Sequence, residues 1–179
     1  MTLRFAHAVV YVSDMEEMLD FYTNVLGFEI TDRGPIRGDD SPEIVFMSQD
    51  PEHHHQLAFL SGRHEVAESN SVNHLAFRVD ALDDVKKMIS TLEGDGRATK
   101  MMPLTHGNAW SVYFSDPEKN GVEVFCDTPF HVAQPQGRPW DTSLDEVALT
   151  EWTRENYQSE TRFGPIDEFY DKRRAELAD

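Results

Sequence analysis

A histidine opening an apolar strand, with a capped amphipathic helix after it, occurs twice in this chain, and that repetition constrains the fold more than any other feature. The first copy is Phe5-Ala6-His7-Ala8-Val9-Val10 and the second Val72-Asn73-His74-Leu75-Ala76-Phe77. His7 and His74 lie 67 positions apart (74 − 7), and the same step from Gln56 reaches Glu123 (56 + 67). Polar residues of functional type recurring at one offset mark a duplicated module. By that symmetry Gln56 is expected to face the same centre as Glu123.

Alternation over residues 5–12 predicts a strand, and Ser13-Asp14-Met15-Glu16 reads as a capping box opening a helix. Met18, Leu19, Tyr22 and Leu26 form its apolar stripe, and Gly27 ends it. Strands are predicted at 28–31, 44–48 and 55–60, separated by turns rich in Gly, Pro and Asp. From Asn73 the order returns: a strand to Val79, then a helix from near Asp80 with Leu82, Val85, Met88, Ile89 and Leu92 apolar and a stop at Gly94. Strands at 98–102, 109–115 and 122–126 complete the copy.

Beyond Asp127 the pattern changes. Pro129, Pro135, Gly137 and Pro139 predict an irregular crossing segment, and Ser143-Leu144-Asp145-Glu146 opens a helix with Leu144, Val147, Ala148 and Trp152 on one stripe. A last helix is expected from Pro165, carrying Ile166, Phe169 and Tyr170. Helices this short are marginal alone in water, so the tail must pack on the domain or on a second subunit.

The 179 residues suit one domain, or one unit with an appendage. With 16 basic against 33 acidic residues the net charge is −17, which argues against nucleic acid or an anionic membrane as partner. One cysteine, Cys126, makes no internal disulfide; Met1-Thr2-Leu3-Arg4-Phe5 lacks the apolar core of a signal peptide, and no run approaches membrane-spanning length. A soluble, cytoplasmic setting is expected.

Glu123 stands between Val122 and Val124 after the turn Asp116-Pro117-Glu118-Lys119-Asn120-Gly121, so it points out of a short strand. Two histidines and one carboxylate from three strands form the set that holds Fe(II) on one face and leaves the other positions open. Along the strands His7 shares a face with Val9 and Tyr11, His74 with Ala76 and Arg78, and Glu123 with Phe125. A buried unpaired carboxylate is costly, and a cation removes the cost. The plainer alternatives are hydrogen-bonded core histidines and a solvent-facing Glu123. His53 and His54 read as turn residues, while His64 and His131 have no partner pattern.

At these residues the chain resembles the vicinal oxygen chelate superfamily of glyoxalases, bleomycin resistance proteins and dioxygenases. Within it, the chain is similar to the one-domain type I extradiol dioxygenases that open catechols and biphenyl-diols. The likeness runs over roughly residues 5–128, through His7 and its helix, His54-His55-Gln56-Leu57-Ala58-Phe59, Val72 to Phe77, and His106 through Phe125. The Asp116-Pro117, Asn120-Gly121 and Glu123 pattern speaks for the fold; the His54-His55 pair is the more specific mark.

The resemblance implies an α+β fold: two βαβββ modules, about 1–62 and 70–128, forming an open, barrel-like cup around a metal site. Residues 1–128 form this domain, and 129–179 a C-terminal loop and helical extension. It implies His7, His74 and Glu123 as ligands of Fe(II), or of Mn(II), His55 as acid-base residue, and His106 and Tyr113 as groups that hydrogen-bond the diol. Tyr113 reads equally as a core aromatic. A regular strand would send His55 and Gln56 to opposite faces, and a bulge at the strand start would relieve this.

The implied reaction opens the ring of a catechol-type diol with O₂, and the implied partners are that diol, O₂ and a second copy of the chain in a homo-oligomer. A neutral histidine suits a proton taken from the diol and returned later. A glyoxalase-like lyase or epimerase is the alternative within the superfamily, with a fourth protein ligand on the first module's last strand, where the repeat places Gln56. A metal-free small-molecule binding protein is the other.

Overall fold

The period-two stretches form strands in a computed structural model that describes residues 3–64 and 71–178. Residues 1, 2, 70 and 179, at the ends of expected spans, lie outside the described residues. The chain divides into two units: Met1–Ser71 with Asp116–Asn120, and Val72–Ser115 with Gly121–Asp179.

In the first unit β1 (Ala8–Val12), α1 (Met15–Asp20), a π-helical turn (Phe21–Val25), β2 (Glu29–Pro35), β3 (Glu43–Ser48) and β4 (Leu57–Ser61) follow in sequence. Their sheet runs β1-β4-β3-β2, with β1 parallel to β4 and the other pairs antiparallel. Met18, Leu19, Tyr22 and Leu26 are buried as their spacing predicts, and Tyr22 meets Phe59 edge-on at 4.8 Å. The cap is Asp14 rather than Ser13, its side chain accepting from the Glu17 N–H at 3.0 Å.

The reason lies 100 residues downstream, roughly, in a turn that belongs to this unit by its contacts. Glu118 Oε1 accepts the N–H groups of Ser13 (2.6 Å) and Asp14 (2.7 Å), while its Oε2 pairs with Arg63 Nη1 at 3.3 Å. The Ser13 hydroxyl donates to the Arg63 carbonyl instead of to the helix. Tyr22 donates to Asp116 at 3.2 Å; burial holds its hydroxyl pKa well above the usual value and also raises that of Asp116. The turn read from sequence as the approach to Glu123 therefore also fixes the start of α1.

The second unit repeats the order with β5 (His74–Arg78), α2 (Leu82–Asp95), β6 (Thr99–Thr105), β7 (Ala109–Ser115) and β8 (Gly121–Asp127). Its sheet runs β6-β7-β8-β5, with β5 parallel to β8. Gly94 does not stop α2. The helix runs to Asp95 and ends on Gly96, whose φ of 79° supplies the left-handed cap.

The tail contributes β9 (Phe130–His131), β10 (Arg138–Pro139), α3 (Glu146–Tyr157), β11 (Gly164–Pro165) and α4 (Ile166–Ala178). β10 extends the sheet beside β6, and β11 pairs with β9. The stripe expected on α3 is corrected: Leu149, Thr153 and Tyr157 are fully buried, whereas Val147 is 80% exposed. Two of those three positions carry hydroxyls whose partners hydrophobic periodicity cannot reveal. Trp110 Nε1 donates to Thr153 Oγ1 and Tyr157 OH to the Thr105 carbonyl, both at 3.0 Å. His131 does have a partner, stacking on Phe169 with ring centroids 3.8 Å apart. Among the described residues no helix is long and apolar enough to cross a membrane.

Candidate metal centre

Parallel pairing of β5 with β8 sets His74 opposite Gly121 and Ala76 opposite Glu123. The close approach needs the glycine, because a Cβ at 121 would stand 2.3 Å from the Asn73 carbonyl oxygen. Glu123 is 7% exposed, with its Oε2 3.3 Å from His74 Nε2. The other histidine nitrogen, Nδ1, lies 2.7 Å from Asn73 Oδ1. That amide oxygen only accepts, so Nδ1 carries a proton, and Nε2 and the carboxylate oxygen face each other as two electron-pair donors. Two such donors repel each other unless a proton or cation joins them. Ligands each about 2.1 Å from one ion and near right angles stand about 3 Å apart, so the pair fits a shared metal.

The carboxylate's other oxygen is taken. Ser111 Oγ, fully buried on β7, donates to Glu123 Oε1 at 2.6 Å. Beside it, Tyr113 is the β7 partner of Glu123. Burial first, then the neighbouring Glu123 carboxylate, push the Tyr113 hydroxyl pKa up, so it keeps its proton across the neutral range. His106 Nε2 is 2.8 Å from that hydroxyl, and His106 Nδ1 is 2.5 Å from the Gln136 carbonyl. A carbonyl cannot donate, so Nδ1 holds the proton and Nε2 accepts from Tyr113. The structure thus brings the two residues together, with both ring nitrogens of His106 engaged, Nδ1 by the Gln136 carbonyl and Nε2 by the tyrosine.

In the first unit His7 precedes β1 by one residue, and its ring centroid lies 4.3 Å from that of His55. The alternation expected for His55 and Gln56 does not apply, because β4 begins only at Leu57 and His55 sits in the preceding loop. His55 Nδ1 is 2.9 Å from His54 Nδ1, and its ring packs on Phe46 at 4.9 Å. Burial, then the charges of His7 and His54, lower its pKa, which favours neutral imidazole.

Gln56 does not match Glu123. Val9 pairs with Ala58 in the first sheet as Ala76 pairs with Glu123 in the second, so the counterpart of Glu123 is Ala58, 65 positions upstream (123 − 58). The Gln56 amide oxygen accepts from the Gln49 N–H at 2.9 Å, bracing the β3–β4 turn. The offset of 67 holds for the first strands and slips by two at the last, because the intervening loops differ in length.

Among the described residues no three His, Cys, Asp or Glu side chains stand arranged to hold a metal ion. His74 and Glu123 are adjacent within the second unit; His7 belongs to the first. Sequence reasoning missed Asn73, Ser111 and Gln136. Asn73 directly precedes His74 and Ser111 shares a strand face with Tyr113, two local signals; Gln136 acts through its main chain and leaves none.

The family model of the Glyoxalase/Bleomycin resistance protein/Dioxygenase superfamily matches residues 4–124. The chain belongs to this superfamily. Among relatives it is 31% identical over 161 residues to biphenyl-2,3-diol 1,2-dioxygenase 2 of Rhodococcus globerulus, covering 83% of this chain and 80% of that one. It is 25% identical over 130 residues to lactoylglutathione lyase of Salmonella typhimurium, covering 68% and 91%. Of some longer dioxygenase relatives the chain spans only 38%. The superfamily fold is also that of the fosfomycin resistance protein FosX from Listeria monocytogenes, solved with Mn(II) and sulfate. The TM-score is 0.57 at 18% identity, over 72% of this chain and 95% of that one.

Proposed function

We propose that the chain is an Fe(II)-dependent extradiol dioxygenase that opens the ring of a catechol-type diol with O₂, holding the metal through His7, His74 and Glu123. The observation that carries the reading is the His74–Glu123 pair, its imidazole tautomer held by Asn73 and its free nitrogen aimed at a nearly buried carboxylate oxygen. Likeness to the Rhodococcus diol dioxygenase over most of both chains supports the substrate class. Mn(II) is the other ion this donor set suits.

The bound ion supplies Lewis acidity toward the diol hydroxyls and a place for O₂. His55, kept neutral by its lowered pKa, accepts a diol proton and later returns it. Tyr113 keeps its proton, which His106 Nε2 accepts until the hydroxyl turns to give it to oxygen where charge develops. The lyase reading is supported by the lactoylglutathione lyase relatives, but it calls for a fourth donor on the first module's last strand. Ala58, in register with Glu123, has none. Assembly into a homo-oligomer belongs to the same proposal.

Protein purified without oxygen and assayed for metal, then offered a panel of catechols with O₂, tests the reading. Stoichiometric iron with a yellow ring-opened product is expected. Metal-loaded protein that cleaves no diol but isomerises a glutathione hemithioacetal would move the chain to the lyases, and protein that takes up no divalent ion would leave a binding protein.

A further inference from the structure

We infer that Ser111 is a positioning residue that restricts Glu123 to ligation through one oxygen, and so keeps a metal position open for substrate. The inference rests on the metal site proposed above. Its basis is a division of labour between the two carboxylate oxygens. Glu123 Oε2 faces His74 Nε2 at 3.3 Å, while Oε1 accepts the Ser111 hydroxyl at 2.6 Å. The Ser111 side chain is fully buried, so no water competes for that bond.

The serine is itself fixed from both sides. It lies inside β7, and its carbonyl accepts Trp140 Nε1 at 3.0 Å from the crossing segment of the tail. Trp140 is 5% exposed, so the segment after Asp127 braces the metal ligand through one residue. A carboxylate can bind a metal through one oxygen or two. Committing one lone pair of that oxygen to a buried hydroxyl makes it a poorer second donor and disfavours the two-oxygen mode, and groups next to ligands tune both orientation and basicity in this way. A site that must accept both oxygens of a diol and O₂ has no position to spare.

The test uses full-length apoprotein loaded anaerobically with Co(II) as probe, in the parent, Ser111→Ala and Ser111→Thr. The apo-minus-loaded infrared difference spectrum reports carboxylate mode, and titration with 4-nitrocatechol without O₂ reports the open positions. In Ser111→Ala the carboxylate splitting should narrow toward the two-oxygen pattern and the catechol affinity fall at least about tenfold. Ser111→Thr, which keeps the hydroxyl, should retain the parent pattern in both. Parent-like splitting and catechol affinity in Ser111→Ala would overturn the inference. If Ser111→Ala fails to fold, Ser111→Val, which has the shape of the threonine variant without its hydroxyl, should show the same changes, and parent-like behaviour there overturns the inference equally. Failure of the underlying site looks different: the parent itself would bind no Co(II), or His74→Ala would bind it as tightly as the parent.

Discussion

The two units use one strand order for different ends. Each has a first strand parallel to its last, a helix between the first and second strands, and two antiparallel neighbours completing the sheet. Where the first unit carries Gln56-Leu57-Ala58, the second carries Gly121-Val122-Glu123 in matching register. Gln56 braces a turn; Gly121, its counterpart, has no room for a side chain and lets β8 close on β5. Ala58 adds a methyl group to the core, whereas Glu123 brings a carboxylate that needs Ser111 and an ion or proton to be tolerated. The histidines differ likewise. Asn73 fixes the tautomer of His74, while Ala6 before His7 offers its neighbour no side-chain acceptor. Duplication thus supplies the frame, and a few residues on one strand pair give the second unit its adjacent histidine and carboxylate.

The largest expected effect tests that asymmetry directly. His74→Ala or Glu123→Ala should abolish tight Fe(II) binding, because two remaining protein ligands rarely hold so labile a cation against water. Metal analysis of the anaerobically purified variants checks this, and stoichiometric iron in both would place the metal elsewhere.

Next in size is a stability effect confined to the second unit, whose tail helix has no counterpart in the first. Leu149→Ala should cost about 2–5 kcal/mol in denaturant unfolding, the usual loss for a buried leucine. Val147→Ala, two residues away on the exposed face, should stay within about 0.5 kcal/mol. Equal costs would mean that the sequence stripe, and not the observed one, packs on the sheet.

A third change separates the roles of the first unit's histidines. His55→Ala should keep iron and lose about 10²-fold in kcat, the usual weight of acid-base help. Unchanged turnover of a good diol would remove His55 from the mechanism. The smallest effect is the sharpest for the comparison itself. Gln56→Glu should leave iron content and diol turnover within about twofold of the parent, because the new carboxylate still accepts from the Gln49 N–H. A strong inhibition of cleavage would show that the register-based match to Ala58 had misplaced the site.

Both βαβββ orders were legible because strand and helix periods are local. Alternation every two residues and stripes every three to four need no knowledge of distant contacts, and the buried faces of α1 and α2 follow them. Where the reading slipped, a distant polar partner was responsible. Glu118 diverts Ser13 from the cap, Trp110 and the Thr105 carbonyl turn Thr153 and Tyr157 inward, and the Gln136 carbonyl fixes the tautomer of His106. An offset counted along the chain likewise cannot see loop lengths, so it matched Glu123 to Gln56 when strand pairing matches it to Ala58.

The sequence by itself therefore determined the superfamily, the two-module order and which histidines and carboxylate were worth following, since these depend on residue type and spacing. Tertiary structure alone decided how those groups are used. The tautomers of His74 and His106, the oxygen of Glu123 left free by Ser111 and the idle chemistry of Ala58 all follow from pairing register and long-range hydrogen bonds. Such bonds act over a few ångströms between residues that the chain separates by tens of positions, and no local pattern records them.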